Sequence, residues 1–216
     1  QMNKVPLKGA LKLSAMLVVA TLLSAPVSTV LAQSASADVS ADVGQRVGDF
    51  ALLDHKGLFH HMSWYDNRKA IVLLVQANGS ESFRQALPKF QALHEAHQED
   101  FKFFMLNPLG QSRASVIDSV ASAGEELPVL IDDAQIVAES LGVHSAGEAL
   151  IYDPRSFRLV YRGPVAGLEQ ALAELDAGQA ISAAQIAFSG DMISYPGREQ
   201  NLTRQVSYSK EVAPIL

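Results

Sequence analysis

From Val47 onward, short apolar runs alternate with longer stretches in which apolar side chains recur every three or four positions. The first kind predicts strands and the second amphipathic helices. Their alternation predicts an α/β fold, a central mixed sheet with helices on both faces. Ala70-Ile71-Val72-Leu73-Leu74-Val75 is apolar throughout, as a strand buried on both sides must be. Phe101 to Asn107 and Pro128 to Ile131 read as further strands. Phe50 to Leu53 and Leu58 to Met62 flank Asp54-His55-Lys56-Gly57, where Gly57 supplies positive φ, so this pair predicts an N-terminal β-hairpin. Glu148 to Tyr152 and Phe157 to Tyr161, joined by Asp153-Pro154-Arg155-Ser156, predict a second hairpin.

Helical spacing places Phe83, Leu87, Phe90 and Leu93 on one face of a helix that starts after Asn78-Gly79, with Pro88 predicting a kink. A second helix opens at Ser112-Arg113-Ala114-Ser115, runs to about Ala123 and is closed by Gly124. Asp133 is expected to cap a helical turn from Ala134 to Leu141, ended by Gly142, and a last helix covers Leu168 to Leu175. No repeat at a period of 20 to 50 residues is visible.

Upstream the pattern changes. Lys4, Lys8 and Lys12 precede an apolar run from Leu13 to Ala25, and Val30-Leu31-Ala32 offers small or apolar side chains for signal peptidase. The run is short of the roughly 20 apolar residues of a membrane span. Residues 1–32 therefore read as a signal peptide cleaved after Ala32, and the expected location is the periplasm. Residues 33–46 are small, polar and weakly acidic and read as a linker. Residues 47–178 form the expected domain and 179–216 a C-terminal extension.

Removing the three lysines takes the formal charge from −6 to −9, which argues against nucleic acid and anionic lipid as partners. The 216 residues contain no cysteine. In an oxidising compartment the remaining stabiliser is the hydrophobic core, for which the 184 residues after Ala32 are enough.

The order of elements, together with Val47-Gly48-Asp49-Phe50, Arg84…Leu87-Pro88, Leu127-Pro128-Val129-Leu130…Asp132, Leu141-Gly142-Val143 and Ile151-Tyr152-Asp153-Pro154, resembles the redoxin branch of the thioredoxin superfamily. That branch includes peroxiredoxin-like alkyl hydroperoxide reductase proteins and periplasmic thiol-disulfide proteins. The resemblance implies a thioredoxin-like fold from about Val47 to Gly163. It also implies that the family's first active-site cysteine falls on Ser80, the second on Phe83 and the cis-proline on Gly147. A thiolate is the nucleophile in disulfide exchange and peroxide reduction, and a serine hydroxyl neither ionises near neutral pH nor forms a disulfide. A cis bond without proline costs roughly 3 to 4 kcal/mol. The expected site is therefore a degenerate one with no catalytic residue. What survives is a helix N-terminus formed by Asn78, Gly79, Ser80, Glu81, Ser82 and Arg84, with Ser80 or Ser82 as cap and backbone donors suited to an anion.

His55, His60 and His61 are candidate metal ligands, since copper-delivering relatives of this fold use histidine. Those relatives also use two cysteines, and adjacent strand histidines point to opposite faces. Exposed hairpin histidines are the preferred reading. His94 and His97 lie three apart on the long helix and read as a solvated face. Glu125-Glu126 and Asp132-Asp133 are acidic pairs in predicted turns, where capping and solubility account for them. No Ser-His-Asp order, P-loop or dinucleotide fingerprint occurs. Asn78-Gly79-Ser80 and Asn201-Leu202-Thr203 match glycosylation acceptors by pattern alone.

Gly190 to Gln205 has neither period and reads as a crossing segment. Tyr208 to Leu216 resembles the opening of exported c-type cytochrome domains, which implies a haem-binding domain beyond Leu216. No Cys-x-x-Cys-His attachment site occurs among these residues, so this chain itself is expected to hold no cofactor. The functional expectation is a non-catalytic docking module for a protein partner or a covalently linked haem domain. The alternatives are a peroxiredoxin or thiol-disulfide oxidoreductase activity using a thiol from elsewhere, and histidine-based metal handling.

Overall fold

A computed structural model describes residues 42–124 and 127–196. The expected signal peptide, Glu125-Glu126, the 201–203 acceptor and the cytochrome-like string lie outside the described residues.

The apolar run after Ala70 becomes β3, Ile71–Val75, and all five of its residues are buried. It pairs in parallel with β4, Lys102–Asn107, which pairs in parallel with β5, Val129–Ile131. On its other side β3 pairs antiparallel with β6, Glu148–Asp153, the first strand of a hairpin completed by β7, Arg158–Pro164. The first hairpin, β1 (Ala51–Asp54) and β2 (Phe59–His61), joins the sheet by antiparallel pairing of β1 with β5. The result is one mixed seven-stranded sheet in the order β2-β1-β5-β4-β3-β6-β7. Gly57 adopts φ +85 in the first hairpin, as its turn requires.

The helices are α1 (Glu81–His97), α2 (Arg113–Ala123), α3 (Ile136–Ser140) and α4 (Leu168–Asp176). The apolar stripe of α1 is the one its spacing predicts: Phe83, Leu87, Phe90 and Leu93 are buried, and Phe90 meets Phe103 edge-on at 5.4 Å. Successive residues of β4 face opposite ways, so Phe104 is covered from the other face, by His60 and by Tyr65 in the short 3-10 turn Met62–Tyr65.

Two local expectations are corrected. The cap of α3 comes from Asp132, whose Oδ2 accepts from the Ala138 amide at 2.7 Å, while Asp133 is exposed. Burial pushes the Asp132 carboxyl up and the α3 amides oppose it. In the expected linker, the Gly44 amide donates to Leu159 O at 2.7 Å and Arg46 bridges Arg158, so the chain already meets β7 before Val47.

Candidate functional site

The chain turns from β3 into α1 at Ser80. Its backbone is extended, and its Oγ accepts from the Phe83 amide at 3.1 Å, satisfying one of the donors a helix start leaves open. The same hydroxyl donates to Oδ2 of Asp191 at 2.6 Å, although the two residues are 111 positions apart. The Ser82 amide donates to that oxygen at 3.2 Å, and the Asp191 amide donates to Ser82 Oγ at 2.8 Å. A carboxylate therefore sits on the positive end of α1. The Ser80 hydroxyl first, and the Ser82 amide second, hold the Asp191 carboxyl below the usual range.

Gly147 closes the site from the other side. The loop before β6 passes so near the first turn of α1 that a Cβ on Gly147 would stand 2.7 Å from Ser82 O, and its φ is +81. Its amide donates to Val75 O at 2.8 Å, which ties the loop to the end of β3. Nothing but glycine fits this backbone without displacing α1. Behind this loop, Arg162 of β7 pairs with Glu148 at the start of β6 at 2.9 Å and donates to the carbonyls of Leu141 and Gly142, so a largely buried ion pair fixes the loop's ends.

Of the residues expected at this site, only Ser80, Ser82 and Gly147 converge. Asn78 turns away: its side-chain amide donates to Ser115 on α2 and its oxygen accepts from Gln76. Gly79 has φ +78 and open space around it. Glu81 and Arg84 pair with each other on the exposed face of the first turn. Phe83 is buried in the core, where no solvent group reaches it. Asp191 had no sequence signal, because it lies in a segment without either period and contacts Ser80 only through the fold.

The histidines are corrected. His55 and His60 are 4% and 8% exposed, not hairpin surface. His55 Nδ1 accepts from the Val129 amide at 3.1 Å, and burial first, with Lys56 and Arg113 nearby, pushes its pKa down. His60 Nε2 meets Asp54 Oδ2 at 3.0 Å and Nδ1 meets Tyr65 Oη at 2.7 Å. The carboxylate only accepts, so Nε2 carries the hydrogen toward Asp54. His61 turns to Ser63 and Asp49. These three serve three separate partner sets, and among the described residues no group of three or more His, Cys, Asp or Glu is placed to hold a metal ion. His94 and His97 are half-buried and stack edge-on against Phe103 and Phe101, which corrects the solvated-face reading.

The chain, whose parallel strands β3 and β4 lead into α1 and α2, is similar to solved structures. The chain has a thioredoxin fold. An uncharacterised protein of Sinorhizobium meliloti is 21% identical with a TM-score of 0.62, over 72% of this chain and 96% of that one. The exposed lipoprotein thioredoxin of Streptococcus pneumoniae is 23% identical with a TM-score of 0.53, over 59% and 99%. The peroxidoxin BcpB of Mycobacterium tuberculosis is 18% identical with a TM-score of 0.53, over 63% and 97%. No family model and no curated protein matches the chain.

Within this thioredoxin fold the chemistry of the α1 terminus is limited. The Ser80 hydroxyl is held between the Phe83 amide of the helix and the Asp191 carboxylate, and the contact lowers the carboxyl's pKa. The carboxylate seated at the start of α1 is the protein's own Asp191.

Proposed function

We propose that this chain is an exported, non-catalytic thioredoxin-fold module that docks a protein partner, or a haem-bearing domain of a larger periplasmic redox protein, at the N-terminal end of α1. The observation that carries the reading is the Ser80 hydroxyl, placed at the start of α1 and committed to the helix cap and to Asp191. The absence of cysteine from all 216 residues supports it, since the chain has no thiolate nucleophile for disulfide exchange or catalytic peroxide reduction. The Gly147 contact supports it too, because the loop and helix remain apposed without the thiols they would otherwise flank. The Streptococcus pneumoniae and Mycobacterium tuberculosis structures carry names of thiol proteins, and their likeness to this chain extends to the fold alone.

Two turnover assays test the reading: insulin-disulfide reduction with dithiothreitol, and hydroperoxide consumption with a thiol donor. The expected rates equal those without protein. A protein-dependent rate in either overturns the proposal in favour of an oxidoreductase that borrows its thiol.

A further inference from the structure

The segment after α4 returns to the sheet and then crosses the α1 terminus. Ala184 and Ile186 flank Arg162 of β7: the Arg162 amide donates to Ala184 O and the Ile186 amide donates to Arg162 O, both at 2.9 Å. Further on, the Ala146 amide donates to Asp191 O and the Ile193 amide donates to His144 O, both at 2.8 Å, with Ser145 and Met192 as an antiparallel bridge. Ile193 is buried at 5% exposure, whereas Met192 beside it is 87% exposed. Tyr195 Oη donates to Val143 O at 2.6 Å, and the Gln135 side chain donates to Ser194 O. Gly190 passes so close to Ala146 O that a Cβ there would stand 2.4 Å from it.

This is the binding mode of an added strand: main-chain bonds along 144–146, one apolar anchor at Ile193, and one charged contact at Asp191. It is made on the same loop and helix end that the docking proposal uses. A groove of about 340 Å³ remains between the two, bordered by Asn78, Ser80 and Glu81 on one wall and by Met192 and Ile193 on the other.

We propose that residues 184–195 are a built-in occupant of the docking site, displaced by a partner that presents an extended segment with its own carboxylate in the place of Asp191 and an apolar residue in the place of Ile193. The inference rests on the docking reading and deepens it by naming the ligand chemistry. Asp191 carries the charge match, Ile193 the apolar match, and the Ala146 amide and His144 carbonyl the backbone match. Because the occupant is covalently attached, it competes at a high effective concentration, and the intact chain is in its closed state. Weakening it raises the population open to a ligand in trans.

The test uses the full chain and a fluorescein-labelled, end-capped peptide with the sequence of residues 184–195. Fluorescence anisotropy should show the Asp191→Asn chain binding this peptide at least roughly tenfold more tightly than the unaltered chain does. A peptide with asparagine in place of its aspartate should bind that variant more weakly than the original peptide. Amide exchange on the same variant should speed up at Ala146 and Ile193 while Val72 to Leu74 stay protected, which confirms that the fold is intact. Ile193→Ser is the second variant and should open the site in the same way. Equal affinity for the unaltered and variant chains, or no binding to either variant, overturns the strap proposal. These readouts are independent of turnover: a blank turnover assay with no peptide exchange sinks the strap alone, and a positive turnover assay sinks the docking reading.

Discussion

Two polar clusters in this molecule use the same groups to opposite ends. In the first hairpin and the 3-10 turn after it, Asp54, His60 and Tyr65 form a relay within twelve residues, packed against Phe104, with Asp54 and His60 buried and Tyr65 half-buried. At the start of α1, the buried Ser80 and the half-buried Ser82 form a relay with the exposed Asp191, more than a hundred positions away. The hairpin cluster is sealed by its own neighbours, so its polar groups stabilise the fold and have nothing left to offer a ligand. The α1 cluster is completed by a segment that could be exchanged for another chain with the same groups. Burial and local closure mark structural polarity, while a surface contact completed from far away marks a place where one partner can substitute for another.

The sharpest way to break this comparison is to remove the centre of the sealed cluster. His60→Ala removes the side-chain partner of the buried Asp54 and the ring nitrogen that the Tyr65 hydroxyl meets, so the expected loss is about 3 kcal/mol, read from denaturant unfolding. A loss below about 0.5 kcal/mol would place the cluster outside the structural class. Gly147→Ala comes next. Its Cβ would meet the Ser82 carbonyl and its φ is in the left-handed region, so about 1 to 3 kcal/mol should be lost, together with the Ser80 to Asp191 contact.

Ser80→Ala removes a helix cap and should cost about 1 kcal/mol, with faster amide exchange at Phe83. The smallest expected stability change belongs to Asp191→Asn, which should leave the thermal midpoint close to that of the parent while freeing the strap amides. A large drop in midpoint there would put the α1 cluster in the same class as the hairpin. The alkaline limb adds a control. Burial raises Tyr161 to about 12, so the unfolded chain ionises first; the contribution is complete below pH 10 and is lost as pH rises toward 12. Tyr161→Phe should flatten stability over that interval.

The sheet was legible because its information is local: an uninterrupted apolar run can only be a doubly covered strand, and Phe83, Leu87, Phe90 and Leu93 can share a face only on a helix. The absence of a thiol was legible for a similar reason, since it is read from the residues themselves. His60 was misplaced because alternation in a hairpin does not reveal that the Phe104 face of β4 lies beneath it, and His55 because nothing local shows that its turn folds back onto Val129 and Arg113. Asp132 took the capping role from Asp133 because the choice between adjacent carboxylates depends on where α3 starts in space. Asp191 was invisible altogether, because nothing in Ser-Gly-Asp-Met-Ile announces a contact across 111 positions.

The most direct test of the central claim, that the α1 terminus of this thioredoxin fold is a carboxylate seat and not a thiol site, is an NMR pH titration of the Asp191 side-chain carboxyl in the full chain. The folded pKa is lowered by Ser80 and Ser82, so the strap contact should be complete above the ordinary value of 3.8 and lost only as pH falls through the lower folded value. The account predicts a midpoint below 3.8 that returns toward it in Ser80→Ala. A midpoint at or above 3.8, unmoved by that substitution, would contradict it.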